Sequence, residues 1–112
     1  MEFSIGILQM AGRLAEHASA RQSVIAGNIA NADTPGFKAR DIRPFAESYA
    51  AAEGRFEVFE SSARGAESPN GNTVSLEDQM VRSAEVRMQH DLALGIYSKS
   101  LDILRAGMGR IR

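Results

Sequence analysis

Asn28-Ile29-Ala30-Asn31-Ala32-Asp33-Thr34-Pro35-Gly36-Phe37-Lys38 is where a helical pattern ends and a tight turn begins. Pro35 disfavours helical geometry at Thr34, and Asn31 or Asp33 can sit near the helix C-terminal cap. Thr34-Pro35-Gly36-Phe37 suits a type II turn, with proline presetting the second position and glycine accepting a positive φ at the third. A helix end followed by a turn accounts for Pro35 and Gly36. It does not require Asn28 and Asn31, two amides three residues apart on one helical face. Those amides could bond neighbouring backbone or a partner chain.

Upstream, Leu8, Ala11, Ala15, Ala18, Gln22, Ile25 and Ile29 recur at three- and four-residue spacing, with Ile7 and Leu14 beside them. This predicts a helix over residues 1–33. Downstream the chain turns irregular over residues 34–74. Pro44 to Ala52 suits a short helix with proline in its first turn. Arg55 to Glu60 alternates like a short strand. Ser61 to Asn72 reads as loop, with Ser68-Pro69-Asn70-Gly71 as a type I turn. Ser75-Leu76-Glu77-Asp78 is a capping-box pattern, with Ser75 as N-cap and Asp78 reaching back. It opens a second helix over residues 75–108. One of its stripes holds Val81, Ala84, Met88, Leu92, Ile96 and Ile103. Another holds Leu94, Tyr97, Leu101, Leu104, Met108 and Ile111.

About 33 helical residues at 1.5 Å each span roughly 50 Å. A compact chain of this length would be only about 35 Å across. The last helix therefore overhangs any compact body, and one partner helix cannot cover both stripes. Gly12, Gly27 and Gly95 inside the helices each cost roughly 1 kcal/mol against alanine. Helices of this kind are marginal alone and depend on packing with other chains.

Composition narrows the functions. The 112 residues leave room for one domain, 1–112. A 44% hydrophobic content excludes a disordered tail, and a net charge of −1 argues against a general nucleic-acid binder. The charge is segregated: residues 53–78 carry six acids and two bases, residues 79–112 three acids and six bases. No cysteine is present, so disulfides, thiolate metal sites and a cysteine nucleophile are excluded. Only 6% of residues are aromatic, with no tryptophan, a poor supply for a compact core. Met1-Glu2-Phe3 lacks the basic region of a signal peptide, and no apolar run is long enough for a membrane span.

Catalytic chemistry finds little support. His17 and His90 are the only histidines, and both read as solvated or interfacial helix residues. His90 and Asp91 are adjacent on a helix and point about 100° apart, which is poor geometry for a base and its orienting acid. No metal-ligand spacing, nucleophile elbow or phosphate loop is present. The expectation is no catalytic residue, no cofactor and no metal. Met80, Met88 and Met108 read as packing residues. Arg105, Arg110 and Arg112 form a basic tip without interleaved aromatics, which suits a helix C-terminus better than a nucleic-acid anchor.

The segment from Asn28 to Lys38 resembles the N-terminal signature of the bacterial flagellar axial proteins, the rod and hook subunits, in the pattern N-I-A-N-x-x-T-P-G-[FY]-K. Asn28, Ile29, Ala30, Asn31, Thr34, Pro35, Gly36, Phe37 and Lys38 carry the match. Ala39-Arg40-Asp41, Ser68 to Glu77 and Tyr97-Ser98-Lys99 look like one proximal-rod branch of that family, with another rod subunit as the nearest rival. Ser75 stands where the family more often has aspartate, and residues 42–67 follow little of its pattern.

The resemblance implies a mainly α fold. Long N- and C-terminal helices would pair as a coiled-coil-like unit around an irregular centre, with room for a short helix and a short strand or hairpin. It implies a non-catalytic structural subunit stacked around an export channel, leaving the cell by type III export without a cleaved signal peptide, in a rod that crosses the periplasm. Partners would be copies of itself, other rod proteins, and basal adaptor and export-gate or MS-ring components, with no nucleic acid and no direct membrane span. Leu8, Leu14, Ile25, Ile29, Val81, Met88, Leu92, Ile96, Tyr97, Leu101 and Leu104 would be assembly surface. A soluble helical adaptor or chaperone-like module is the alternative that the amphipathic helices alone leave open.

Overall fold

The computed structural model describes residues 2–51, 56–61 and 67–109. Arg55 of the expected strand, residues 62–66 of the expected loop, and Arg110, Ile111 and Arg112 of the C-terminal end lie outside these. Five elements follow one another: α1 (Glu2–Ala30), β1 (Arg40–Ile42), α2 (Phe45–Ala51), β2 (Val58–Glu60) and α3 (Leu76–Gly109). The long helices begin and end within a few residues of the sequence expectation. The molecule measures 68 × 24 × 17 Å with a radius of gyration of 18.1 Å, against about 13 Å for a compact chain of this length.

α1 and α3 run antiparallel along each other. Asn28 meets Gln79, Arg21 meets Glu85 and His17 meets Gln89, so the numbering falls on one helix as it rises on the other. The buried residues repeat every seven positions. Ala11, Ala18 and Ile25 line α1, and Gln79, Val86, Ala93 and Ser100 line α3. A seven-residue repeat keeps one seam facing one partner, the rule of a left-handed coiled coil. Small residues on both sides let the backbones approach closely.

The seam of α3 runs through residues that belong to neither apolar stripe, and stripe residues expected as assembly surface lie outside it. Gln79, Val86, Ala93 and Ser100 are buried, whereas Val81 (56% exposed), Met88 (72%) and Leu92 (58%) point away. The largest apolar side chains mark the outside of the pair, because alanine and serine fit the narrow seam and Gln79 finds a polar partner in it. On α1, Ala11, Ala18 and Ile25 from the expected stripe are buried, while Ile29 is 43% exposed.

The centre folds back along α1, from its C-terminal end at Asn28 to His17, beside the start of α3. β1 and β2 are antiparallel, with Arg40 opposite Glu60, Asp41 opposite Phe59 and Ile42 opposite Val58. Bonds from Arg43 N–H to Glu57 O (3.0 Å) and Ser61 N–H to Ala39 O (2.8 Å) extend the ladder at each end. α2 lies between the strands in sequence. Its first turn opens on Pro44, whose carbonyl accepts from the Glu47 and Ser48 N–H groups at 3.1 and 3.2 Å.

Gly36 (φ 75°) and Gly71 (φ 85°) occupy the left-handed region at the two turns the sequence marks. Phe37 N–H donates to Thr34 O at 3.2 Å, closing the type II turn, and Gly71 N–H donates to Ser68 O at 2.8 Å. By contrast, Gly12 lies inside α1, and apart from that helix's own backbone a Cβ there meets no described atom within 4 Å. Gly36→Ala is expected to destabilise the fold by about 1–2 kcal/mol through left-handed strain. Gly12→Ala is expected to stabilise it by about 1 kcal/mol through helix propensity. Urea unfolding followed by circular dichroism checks both signs.

Candidate functional site

The signature segment and the segment before α3 form one joint, here termed the clasp. Asn28 is 1% exposed, so its amide needs partners inside the protein. Its Nδ2 donates to Arg40 O at 2.8 Å and to Gln79 Oε1 at 2.9 Å, and its Oδ1 accepts from Arg40 N–H at 3.0 Å. One side chain therefore ties the end of α1 to β1 and to the start of α3. Asn31 works locally. Its Nδ2 donates to Gly27 O (2.8 Å), capping a helix carbonyl, and its Oδ1 accepts from Thr34 Oγ1 (3.1 Å).

From the other strand of the clasp, buried Asn72 donates to Asn31 O (2.9 Å) and Thr34 O (2.8 Å), while its Oδ1 accepts from Val74 N–H at 2.8 Å. Gly36 N–H donates to Asn70 O (2.9 Å) and Thr73 N–H to Phe37 O (3.0 Å). Ala39 N–H donates to Thr73 Oγ1 at 2.8 Å, and Lys38 Nζ donates to Gly71 O at 2.8 Å and pairs with Glu67. Gly71 and Gly36 approach so closely that a Cβ on Gly71 would stand 3.4 Å from Gly36 Cα. Ser75 Oγ accepts from Asp78 N–H at 3.3 Å, the N-cap bond. The Asp78 carboxylate turns instead to Arg82 Nε at 2.8 Å.

Beside the clasp, Asp41 (6% exposed) is the hub of an ion network. Arg21 donates to its two oxygens from Nε (3.0 Å) and Nη2 (3.2 Å), Arg82 Nη1 pairs with it, and Ile42 N–H donates to Oδ1 at 2.7 Å. Arg82 also reaches Ser61 Oγ (3.0 Å), and Arg21 reaches Glu85 (3.3 Å). Burial works to raise the Asp41 carboxyl. The Arg21 and Ile42 hydrogen bonds and the charges of Arg21 and Arg82 together outweigh it and hold the group below its ordinary value. Burial likewise works to lower Arg21, and Asp41 and Glu85 together hold it above its usual value. Arg21, Arg82, Gln79 and Asn72 carry no role in the sequence reading. Arg82 is signalled only by its i,i+4 spacing from Asp78, and Asn72 only by its place in the second motif.

Of the two readings of His17, solvated or interfacial, the solvated one fails: it is 2% exposed and lies where α1, α3 and the centre meet. Its Nε2 bonds Arg43 O at 2.8 Å, its Nδ1 bonds Gln89 Nε2 at 2.8 Å, and Phe45 and Phe56 pack edge-on against it at 5.8 and 5.2 Å. It anchors the α2 side of the centre to the helix pair. His90 is exposed. It lines an open groove of about 650 Å³ between α1 and α3, with Gln22, Arg87, Asp91 and Leu94.

The expected assembly residues divide three ways. Ile25 (0% exposed) belongs to the chain's own seam and is closed to neighbours. Leu8, Leu14, Ile96, Leu101 and Leu104 are half-buried beside it. Ile29, Val81, Met88, Leu92 and Tyr97 stand outside, as do Phe3 (81% exposed), Met80, Ile103 and Met108. Among the described residues no cluster of metal-ligating side chains forms, and no helix is long and apolar enough to cross a membrane.

Residues 9–38 match the family model described as flagella basal body rod protein. The flagellar basal body rod protein FlgB of Agrobacterium fabrum (strain C58 / ATCC 33970) is 34% identical over 109 positions, covering 79% of this chain and 81% of the relative. The protein of the same description from Proteus mirabilis (strain HI4320) is 77% identical over 22 residues, 20% of this chain and 16% of the relative.

Asp41→Asn is expected to destabilise the fold by about 2–3 kcal/mol, because it removes the carboxylate shared by the half-buried guanidinium groups of Arg21 and Arg82. The acid limb tests the cause. A depressed carboxylate stabilises the fold fully above its unfolded value of about 3.9, and that stability is lost as pH falls through the lower folded value. Urea midpoints measured across acid pH should fall steeply in the native chain and more shallowly in Asp41→Asn.

Proposed function

The chain belongs to the flagellar basal body rod protein FlgB family of structural rod subunits, and we propose that it enters the proximal rod through the outward faces of its helix pair. The observation that carries this reading is the inversion of the pair. Its inner seam is built from alanine, serine, amides and two branched residues, while Met88, Leu92, Ile103 and Met108 are each more than half exposed. Burying one such side chain contributes roughly 1.5–3 kcal/mol. A handful of them supplies a large association energy once neighbours are present, even against the cost of ordering.

Gly12, Gly27 and Gly95 fit the same role. Apart from the backbone of their own helix, no atom of the described residues lies within 4 Å of where their Cβ atoms would be, so no other element packs against them. Each leaves room for another helix to approach α1 or α3.

In this reading the neighbours are other rod subunits and further copies of this chain, with basal adaptor and export-gate or MS-ring components below. The subunits wind around the export channel, the rod crosses the periplasm and carries torque, and the chain reaches it by type III export without losing a signal peptide.

Ile29→Asp and Leu92→Asp place a charge on the outside of α1 and α3 without touching the buried seam. Each is expected to keep native helicity by circular dichroism and to weaken incorporation roughly tenfold or more. Purified basal bodies, probed for the subunit, read the result. Normal incorporation of the double variant would overturn the assignment of these faces.

A further inference from the structure

We propose that Asn70-Gly71 is a deamidation site gated by the clasp, where conversion to isoaspartate prevents the two terminal motifs from rejoining. Asn70 is exposed and is followed by a residue with no side chain to hinder attack by its backbone nitrogen. The electrophile is already polarised. Asn70 Oδ1 accepts from Asn72 N–H at 3.1 Å, so charge developing on that oxygen meets a donor in place. The nucleophile is held back. Gly71 N–H donates to Ser68 O at 2.8 Å, which fixes its peptide plane and keeps its proton engaged. The closed turn thus stores a ready carbonyl beside a restrained nitrogen, and opening the turn releases the nitrogen.

The chemistry needs only water. Gly71 nitrogen, losing its proton, bonds to Asn70 Cγ. The Cγ–Nδ2 bond breaks and ammonia leaves with that proton, closing a five-membered succinimide. Water then adds to one of its carbonyls. Opening at Cγ yields aspartate, and opening at the main-chain carbonyl yields isoaspartate, whose backbone runs through the former side chain. No oxidation or reduction occurs.

The position gives this reaction its consequence. Isoaspartate adds a methylene to the main chain between residue 70 and Gly71. Three bonds of the clasp meet there: Gly36 N–H to Asn70 O, Gly71 N–H to Ser68 O, and Lys38 Nζ to Gly71 O. A lengthened backbone cannot satisfy all three with Gly36 and Gly71 in contact. A chain that closes its clasp is protected, and one that stays open loses the ability to close.

The test is peptide mapping of the full chain after incubation in water enriched in heavy oxygen, which marks succinimide hydrolysis. Three samples are compared: the native chain, Asn72→Ala, which removes the bonds to Asn31 O and Thr34 O, and the native chain in a urea series. Label at residue 70 is expected to accumulate roughly tenfold faster in Asn72→Ala and in urea that opens the clasp, following the larger open population. Should Asn72→Ala fail to fold, the urea series reads the same quantity, with α-helical circular dichroism reporting the pair. Asn70→Gln should carry no label there. Equal rates in native and fully denatured chain would overturn the gating, and absence of label in the denatured chain would overturn the site.

Discussion

The buried amide of Asn28 is the constraint on which the rest of the structure depends. A primary amide in a dry seam costs several kcal/mol unless its hydrogen bonds are made. Asn28 makes them from α1 to two other parts of the chain at once: β1 supplies a carbonyl and an N–H, and α3 supplies Gln79. Sliding α3 by one heptad would bring Val86 to Asn28 in place of Gln79, leaving the asparagine without one of its acceptors. A seam of alanine and serine tolerates such a shift sterically. The polar pair does not, and so it sets the axial register of two helices whose apolar contacts alone would be permissive.

The ion network extends that register to the centre. Asp41 sits one residue beyond Arg40, whose backbone Asn28 already holds, so its carboxylate is delivered to Arg21 on α1 and Arg82 on α3 together. A buried carboxylate between two guanidinium groups contributes little net stability over an apolar equivalent but is costly to break. Its value lies in direction. It admits one placement of β1 against both helices, and His17 adds a second on the opposite side through Arg43 O. The small sheet has too few residues to hold itself, and these polar contacts position it.

Much of this was legible in the residues. Helix limits, the Pro35-Gly36 turn, the Ser68–Gly71 turn and the Ser75 cap follow from local chemistry that acts within four or five residues, and the structure places them accordingly. The seam of α3 was not legible. Apolar periodicity ranks Val81, Met88 and Leu92 above Gln79, Ala93 and Ser100, and it marks apolar faces without marking the narrow face that meets the chain's own helix. Here the largest apolar residues belong to a different face. Asp41, Arg82 and Asn72 were hidden for another reason: their partners lie about 20 to 40 residues away in sequence, and nothing local marks a charge that will be buried. The two family motifs stand apart in the sequence. Their meeting in the clasp explains physically why both are needed in one chain.

Directional and apolar contacts are therefore divided between inside and outside. A helix pair held by methionine and leucine would be stable alone and would offer neighbours only polar rims. This pair is instead held at one end by amides, guanidinium groups and two left-handed glycines, interactions whose strength depends on geometry and not on area. That choice leaves the large side chains of α3 free along the rest of its length. It also makes internal order and external association separable. The clasp determines which surfaces are presented and in what register, and in the proposed assembly burial of those surfaces by neighbours would supply stability that the narrow seam lacks. A subunit built this way is most firmly folded where it is most fully surrounded.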